Sequence, residues 1–146
     1  MTIKKYFDLT KKVLYPINRS LTGEGIQKTL KIIKKEFPAL KIRKISSGSK
    51  VYDWKVPPEW NVSEAYVVDK YGNKIIDFKT NNLHLVSYSI PINKLVTKKD
   101  LFKNIHYLKK QPNAIPYITS FYEKRWGFCI SYEEKIKFDK IYRSQD

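Results

Sequence analysis

The stretch "NRSLTGEGIQKTLKIIKK" (residues 18–35) contains residue types that could bind an anion. A charge at Arg19 and hydroxyls at Ser20 and Thr22 stand beside two glycines, directly before an amphipathic run. The N–H groups at the start of a helix bind phosphates well. However, no Gly-Lys-Ser or Gly-Lys-Thr follows, no strand precedes, and Glu24 between the glycines would repel a phosphate. The pattern therefore favours a helix cap with Thr22 as the capping residue.

The chain has few residues suited to metal binding or nucleophilic catalysis. His84 and His106, the only histidines, lie far apart in the sequence, whereas zinc needs three or four ligands, often with two at local spacing. Cys129 is the only cysteine, and its apolar neighbours in "WGFCIS" are typical of a buried structural residue. We expect His84 to be a strand residue with a hydrogen-bond partner. The residues thus predict no metal site and no catalytic residue.

Aromatic residues leave two interpretations open. They could line a ligand groove, or they could pack the core of a small β-rich unit. The six residues concerned are Trp54, Trp60, Tyr117, Phe121, Tyr122 and Trp126.

The formal net charge is +15, from 29 Lys and Arg against 14 Asp and Glu, which could suit an anionic partner. The lysines are spread along the whole chain, and Arg, the residue suited to bidentate phosphate contacts, is scarce. This distribution argues against a nucleic-acid partner. No apolar run approaches the roughly 20 residues that span a bilayer, and "MTIKKYFDLTKKVLYPI" lacks the apolar stretch of a secretory signal. We therefore expect no membrane insertion and a cytoplasmic protein.

The apolar spacing predicts an α+β fold, with two N-terminal helices followed by a β-rich subdomain that contains a short helix. The first helix should cover residues 2–14 and end before Pro16, and the second should follow Thr22 and end before Pro38. From Leu40 the apolar period changes to two, so "LKIRKI" predicts a strand.

Later segments carry clear local signals. "EAYVVD" and "KIIDF" flank "KYGN", which predicts a hairpin, and "LHLVSYSI" and "GFCIS" predict further strands. Thr97 with Asp100, and Ser131 with Glu134, have the spacing of capping boxes that begin helices.

Three long stretches together resemble one family. They are "LYPINRSLTGEGIQKTLKII", "VYDWKVPPEWNVSEAYVVDKYGNKIIDFKTNNLHLVSYSIPI" and "QPNAIPYITSFYEKRWGFCIS". They resemble the N-terminal part of bacterial zinc aminopeptidase-like proteins that carry a domain of unknown function and are often encoded beside surface-polysaccharide biosynthesis genes. The resemblance implies that residues 1–38 are the N-terminal helices of a peptidase-like core. Residues 39–146 would be an inserted, lid-like β-rich subdomain, truncated before the metal-binding core.

The same resemblance implies zinc in the complete family member, held by residues downstream of the matching part, and no zinc in this chain. It implies that Arg19, Ser20, Thr22 and Glu24 line the substrate cleft, with Arg125 and Trp126 at a cleft edge. Alone, the chain is then an inactive fragment of a hydrolase, and a second chain carrying the remaining core is a candidate partner. Two alternatives stay open: an autonomous basic module for acidic glycan or nucleic acid, and the functionless product of a broken gene.

Overall fold

The computed structural model describes residues 2–142. It has an α+β fold, as the sequence predicts, with short helices and small two-stranded sheets. Its contacts divide it into two compact units, unit 1 ending at Val62 and unit 2 beginning at Ser63. The predicted boundary between residues 38 and 39 concerns the insertion into a longer core, and it stays a prediction.

Unit 1 begins with two helices. Helix α1 (Ile3–Asp8) continues directly into a π-helical segment, Leu9–Leu14, so the predicted first helix is present with a wider last turn. Helix α2 spans Glu24–Glu36 and ends at Phe37, before Pro38 as predicted. The Tyr6 and Phe37 rings stack at 5.9 Å, and Lys5 Nζ lies 2.5 Å from Glu36 Oε2. These contacts join α1 to the C-terminal end of α2.

The strand predicted at residues 40–45 is wrong. This segment has no regular structure, and Ile42 and Ile45 are both exposed. Alternation alone does not form a strand, because the backbone also needs a neighbouring strand to pair with. The sheet of unit 1 comes later, where β1 (Lys50–Val51) pairs antiparallel with β2 (Trp54–Lys55).

Unit 2 begins with the predicted hairpin, in which β3 (Tyr66–Val68) pairs antiparallel with β4 (Lys74–Asp77). Gly72 occupies the turn with φ +86°, a conformation that glycine adopts without strain. Asp69 Oδ1 accepts hydrogen bonds from the backbone N–H groups of Tyr71 and Asn73, at 2.8 and 2.9 Å. The turn is thus held by glycine and by one carboxylate.

The remaining elements of unit 2 follow the hairpin in chain order. They are a 3₁₀ turn (Asn82–His84), α3 (Lys98–Lys103), β5 (Ile105–His106), β6 (Phe128–Cys129) and α4 (Tyr132–Tyr142), and β5 pairs parallel with β6. The short buried strand predicted in "GFCIS" is confirmed.

A continuous strand over "LHLVSYSI" is wrong. The Asn81 side chain accepts a hydrogen bond from the N–H of Leu83 and starts the 3₁₀ turn. Beyond it, Leu85 and Ser87 make only isolated bridges, and Tyr88 has φ +62°, which ends extended structure. Local side-chain bonding and a left-handed residue therefore override the apolar alternation.

The apolar core lies in unit 2, around Ile76, Ile105, Phe128 and Ile130. Trp126 packs on this cluster, with its ring edge-to-face against Phe128 at 6.4 Å. Three other residues of the aromatic set are exposed, so they are not part of the core: Trp54, Tyr117 and Tyr122. No helix described between residues 2 and 142 is long and apolar enough to cross a membrane.

Candidate functional site

The loop before α2 is a capped helix start, but its cap differs from the predicted one. The N-cap residue is Gly23, with φ +92°, and the backbone N–H of Glu24 donates to Asn61 Oδ1 at 2.7 Å. Thr22 as the cap is therefore wrong. Its hydroxyl donates to the Pro58 carbonyl at 3.3 Å and accepts from the backbone N–H of Trp60 at 3.3 Å.

Glycine is required at both positions of the Gly-x-Gly pair for steric reasons. A Cβ atom at Gly23 would lie 2.4 Å from the Trp60 carbonyl oxygen, and one at Gly25 would lie 1.8 Å from the Asn18 carbonyl oxygen. The glycines thus admit neighbouring backbone to the helix start. Their role here is close packing of protein against protein, which is not the open cradle that a phosphate needs.

The other polar residues of this loop also bond to protein. Ser20 Oγ donates to the Thr22 carbonyl at 2.8 Å, and Arg19 Nη1 donates to the Leu14 carbonyl. Glu24 lies exposed in the first turn of α2, where the helix dipole favours a negative charge. The four predicted cleft residues are therefore adjacent in unit 1, and three of them already use their side chains to hold the loop. Their contact with a substrate stays a prediction.

Arg125 and Trp126 belong to a second polar region, in unit 2. Arg125 Nη2 donates to the Thr119 carbonyl at 3.2 Å, and its Nε lies 3.2 Å from Glu123 Oε2. The Trp126 ring has Lys94 Nζ 5.3 Å from its centroid, a cation–π distance. Both side chains are half-buried and fixed by these neighbours. Their predicted place at a cleft edge is likewise not tested by these contacts.

Beside this region lies an open recess of about 310 Å³ with His106 among its lining residues. Phe102, Leu108 and Ile118 supply apolar walls. Burial lowers the pKa of His106, and the nearby Arg125 charge lowers it further. The imidazole is thus held in its neutral form near pH 7. Sequence reasoning missed this recess, because the "NIHY" segment carries no motif and its walls come from distant parts of unit 2.

The titratable residues that the structure describes do not fit a zinc site. Between residues 2 and 142, no group of three or more His, Cys, Asp and Glu side chains lies close enough to hold a metal ion. His84 is buried, and its Nδ1 donates to the Cys129 carbonyl at 2.8 Å, which confirms the expected hydrogen-bond partner. His84 lies in the 3₁₀ turn, so placing it on a strand is wrong.

Cys129 is fully buried, as expected, and burial raises the pKa of its thiol to about 11. Because the thiolate is the nucleophilic form, this residue is unsuited to nucleophilic catalysis near neutral pH.

The beginning of α4 carries the capping box that the sequence predicts. Ser131 Oγ accepts from the backbone N–H of Glu134 at 3.2 Å, and Glu134 Oε2 accepts from the Ser131 N–H at 2.7 Å and hydroxyl at 2.8 Å. Glu134 Oε1 lies 3.9 Å from His84 Nε2. Serine, carboxylate and imidazole therefore meet here, but the carboxylate separates the other two. The arrangement caps a helix and lacks the serine–histidine contact of a nucleophilic triad.

Comparison with known proteins gives three matches. The family model described as "Domain of unknown function (DUF2172)" matches residues 59–143. A protein of Clostridium acetobutylicum named "Putative polysaccharide biosynthesis protein with aminopeptidase-like domain" is 47% identical over 128 residues, which are 88% of this chain and 29% of that protein. The crystal structure of a "putative peptidase" from Clostridium acetobutylicum is 41% identical with a TM-score of 0.81, over 92% of this chain and 34% of that one. The chain thus spans about a third of the length of these relatives.

Proposed function

This chain belongs to the DUF2172 family, and from that premise we propose that it forms part of an aminopeptidase-like hydrolase without being catalytic by itself. One observation carries the proposal: the fold matches that of the "putative peptidase" at 41% identity, yet covers 34% of its chain. In this proposal the catalytic centre, with its zinc, belongs to the part of the longer protein that this chain does not match.

The proposed role of this chain is to shape the substrate cleft. The residues that we propose to contact the substrate are Arg19, Ser20, Thr22 and Glu24 in unit 1, and Arg125 and Trp126 in unit 2. The protein-to-protein hydrogen bonds described above keep the Ser20 and Arg125 side chains in fixed orientations, as a positioning role requires. For the substrate we propose amide-linked groups on surface polysaccharide, because the Clostridium relative is named for polysaccharide biosynthesis.

The test compares hydrolysis by three preparations in the presence of zinc. They are this chain alone, the Clostridium acetobutylicum relative, and this chain mixed with the segment of that relative that it does not match. Release of p-nitroaniline from a series of aminoacyl p-nitroanilides is measured. We expect activity from the relative and from the mixture, and none from this chain alone.

Two outcomes would overturn the proposal. Zinc-dependent activity of this chain alone would show that it is catalytic by itself. A relative that hydrolyses neither p-nitroanilides nor N-acylated oligosaccharides would remove the hydrolase assignment. Strong, steeply salt-dependent binding of this chain to an acidic glycan would then favour the basic binding module, which the net charge of +15 also suits.

A further inference from the structure

Three aromatic rings of unit 2 form a contiguous cluster that reaches the surface. Tyr122 is 93% exposed, and its ring centroid lies 4.6 Å from that of Phe121 at an interplanar angle of 85°. Phe121 in turn meets Tyr88 edge-to-face at 5.0 Å, and both of these residues are half-buried. We call these three residues the aromatic platform. Because Tyr122 and Phe121 meet at nearly a right angle, their rings do not cover each other face to face, and the Tyr122 ring is open to a ligand.

Backbone hydrogen bonds fix the loop that carries Tyr122. At its beginning, the N–H of the buried Ser120 donates to the Ser87 carbonyl at 2.8 Å. At its end, the N–H of Ile90 donates to the Arg125 carbonyl at 3.0 Å. Both ends of the loop are therefore bound to the same neighbouring segment. A ring held on such a loop can bind a ligand with little loss of loop entropy.

The same loop carries a base and an acid next to one another. Arg125 Nε lies 3.2 Å from Glu123 Oε2, and the two side chains are 42% and 69% exposed. Within residues 2–142 the guanidinium makes a single hydrogen bond, from Nη2 to the Thr119 carbonyl at 3.2 Å. Its other N–H groups can therefore donate to a ligand, and the Glu123 carboxylate can accept. The loop thus offers an aromatic face, donors and an acceptor within a few residues.

We propose that the aromatic platform, together with Arg125 and Glu123, binds an uncharged pyranose ring of the polysaccharide substrate. The inference rests on the proposed function, in which Arg125 contacts the substrate, and it adds Tyr122 as the residue that recognises the sugar. A pyranose has C–H groups on its face, which pack on an aromatic ring, and hydroxyls at its edge, which donate and accept hydrogen bonds. Tyrosine suits this contact because its large ring loses little side-chain entropy on binding.

Charge distinguishes this ligand from single-stranded nucleic acid, whose bases also stack on aromatic side chains. A nucleic-acid site needs unpaired cations along the phosphate backbone. In this loop the Glu123 carboxylate offsets the charge of Arg125 and would repel a phosphate. The same carboxylate is a good acceptor for sugar hydroxyls. An uncharged sugar therefore fits this loop better than a nucleotide does, although the net charge of the chain is +15.

The test titrates the full 146-residue chain with neutral oligosaccharides and measures binding by NMR shifts of the backbone amides and by calorimetry. The probes are triacetylchitotriose, maltotriose and mannotriose. We expect the wild type to bind at least one of them. Because these sugars carry no charge, the affinity should be the same at low and at high salt.

The informative variant is Tyr122→Ala, which removes an exposed ring. Its matched control is Tyr52→Ala, because Tyr52 is 92% exposed and lies in unit 1. Tyr122→Phe keeps the ring and removes only the hydroxyl. We expect Tyr122→Ala to weaken binding about tenfold, and Tyr122→Phe and Tyr52→Ala to change it by at most about twofold.

Four results would overturn the inference. Two of them are no binding of any of the neutral oligosaccharides, and equal binding by the wild type and Tyr122→Ala. The third is steeply salt-dependent binding of oligo-dT that Tyr122→Ala abolishes, which would make nucleic acid the ligand. The fourth is self-association that Tyr122→Ala abolishes, which would make a second copy of this chain the partner.

Hydrolysis assays separate this inference from the proposed function. Sugar binding that depends on Tyr122, with no hydrolysis by the Clostridium acetobutylicum relative or by the mixture, would refute the function and leave the sugar site. Hydrolysis of N-acylated oligosaccharides by the mixture at an equal rate and KM with wild type and with Tyr122→Ala would refute the sugar site and leave the function.

Discussion

Asn61 Oδ1 accepts a hydrogen bond from the backbone N–H of Glu24 at 2.7 Å, so the first turn of α2 is capped by a residue 37 positions away. The first N–H groups of a helix have no partner within the helix, and a side-chain oxygen usually comes from the N-cap residue. Here that position is Gly23, which has no side chain. The loop at residues 58–61 therefore supplies, through Asn61, the capping oxygen that an N-cap side chain ordinarily provides.

Replacing this capping oxygen should weaken α2. We expect Asn61→Ala to lower the free energy of unfolding by about 1 kcal/mol, the usual cost of losing an N-cap. Asn61→Asp keeps an oxygen at the same place and adds a charge that the helix dipole favours, so it should stay close to the wild type. Urea unfolding followed by circular dichroism measures both, and an Asn61→Ala variant as stable as the wild type would contradict the assignment.

Replacing Gly23 or Gly48 by alanine separates the cost of a steric clash from the cost of a strained backbone conformation. Gly23 and Gly48 both have positive φ, at +92° and +84°, but a Cβ atom at Gly23 would meet Trp60 and Asn61, whereas one at Gly48 meets nothing within 4 Å. Gly48→Ala should cost about 1 kcal/mol from backbone strain alone. We expect Gly23→Ala to cost clearly more, because a backbone carbonyl must also move. Thermal melts of the two variants test this, and equal losses would show that the clash relaxes freely.

The capping box at Ser131 and Glu134 should behave as one unit. Each side chain is hydrogen-bonded to the other and to the other's backbone N–H, so removing either one leaves the other without its partner. Ser131→Ala and Glu134→Ala should each lower the free energy of unfolding by about 1 kcal/mol, and the double variant should cost less than their sum. A double-mutant cycle from urea unfolding measures the coupling. Strict additivity would mean that the two residues act separately.

Sequence reasoning succeeded where the signal and the structure are both local. The Ser131–Glu134 box, the similar bond from the Asp100 N–H to Thr97 Oγ1 at 3.1 Å, and the hairpin around Gly72 all lie within a few residues. Each of these features needs only the side chains and backbone of one short segment, so the sequence of that segment is sufficient to predict it.

Sequence reasoning failed where the residue that completes a contact lies far along the chain. Thr22 matched the pattern of a cap, but Asn61 supplies the oxygen, and nothing near Thr22 in the sequence indicates that. Ile42 and Ile45 matched the pattern of a strand, but no neighbouring strand pairs with them and their segment is irregular. The candidate cleft residues come from the family resemblance, and their contact with a substrate stays a prediction. The long sequence motifs were sufficient to identify the family, but none of them indicates which side chains meet in three dimensions.

Cys129 gives a chemical probe of unit 2 because it is the only cysteine in the chain. Burial raises the pKa of its thiol to about 11, so at pH 8 about 0.1% is thiolate, against roughly a quarter for an unperturbed cysteine. We expect its reaction with a disulfide reagent such as DTNB to be at least 100-fold slower in the folded chain than in urea. A folded rate equal to the unfolded one would show that unit 2 opens freely.

The same shift fixes the sign of a pH effect on stability. The folded state holds the thiol proton more tightly than the unfolded state, so raising the pH favours unfolding once the unfolded thiol ionises. The contribution of Cys129 is fully present below about pH 8.5 and is lost as the pH rises through about 11. Tyrosines and lysines also titrate in this window, so Cys129→Ala is the control, since it lacks the thiol but keeps the other groups. Urea midpoints between pH 7 and 11 should fall more steeply for the wild type than for Cys129→Ala, and parallel curves would contradict the burial of an uncharged thiol.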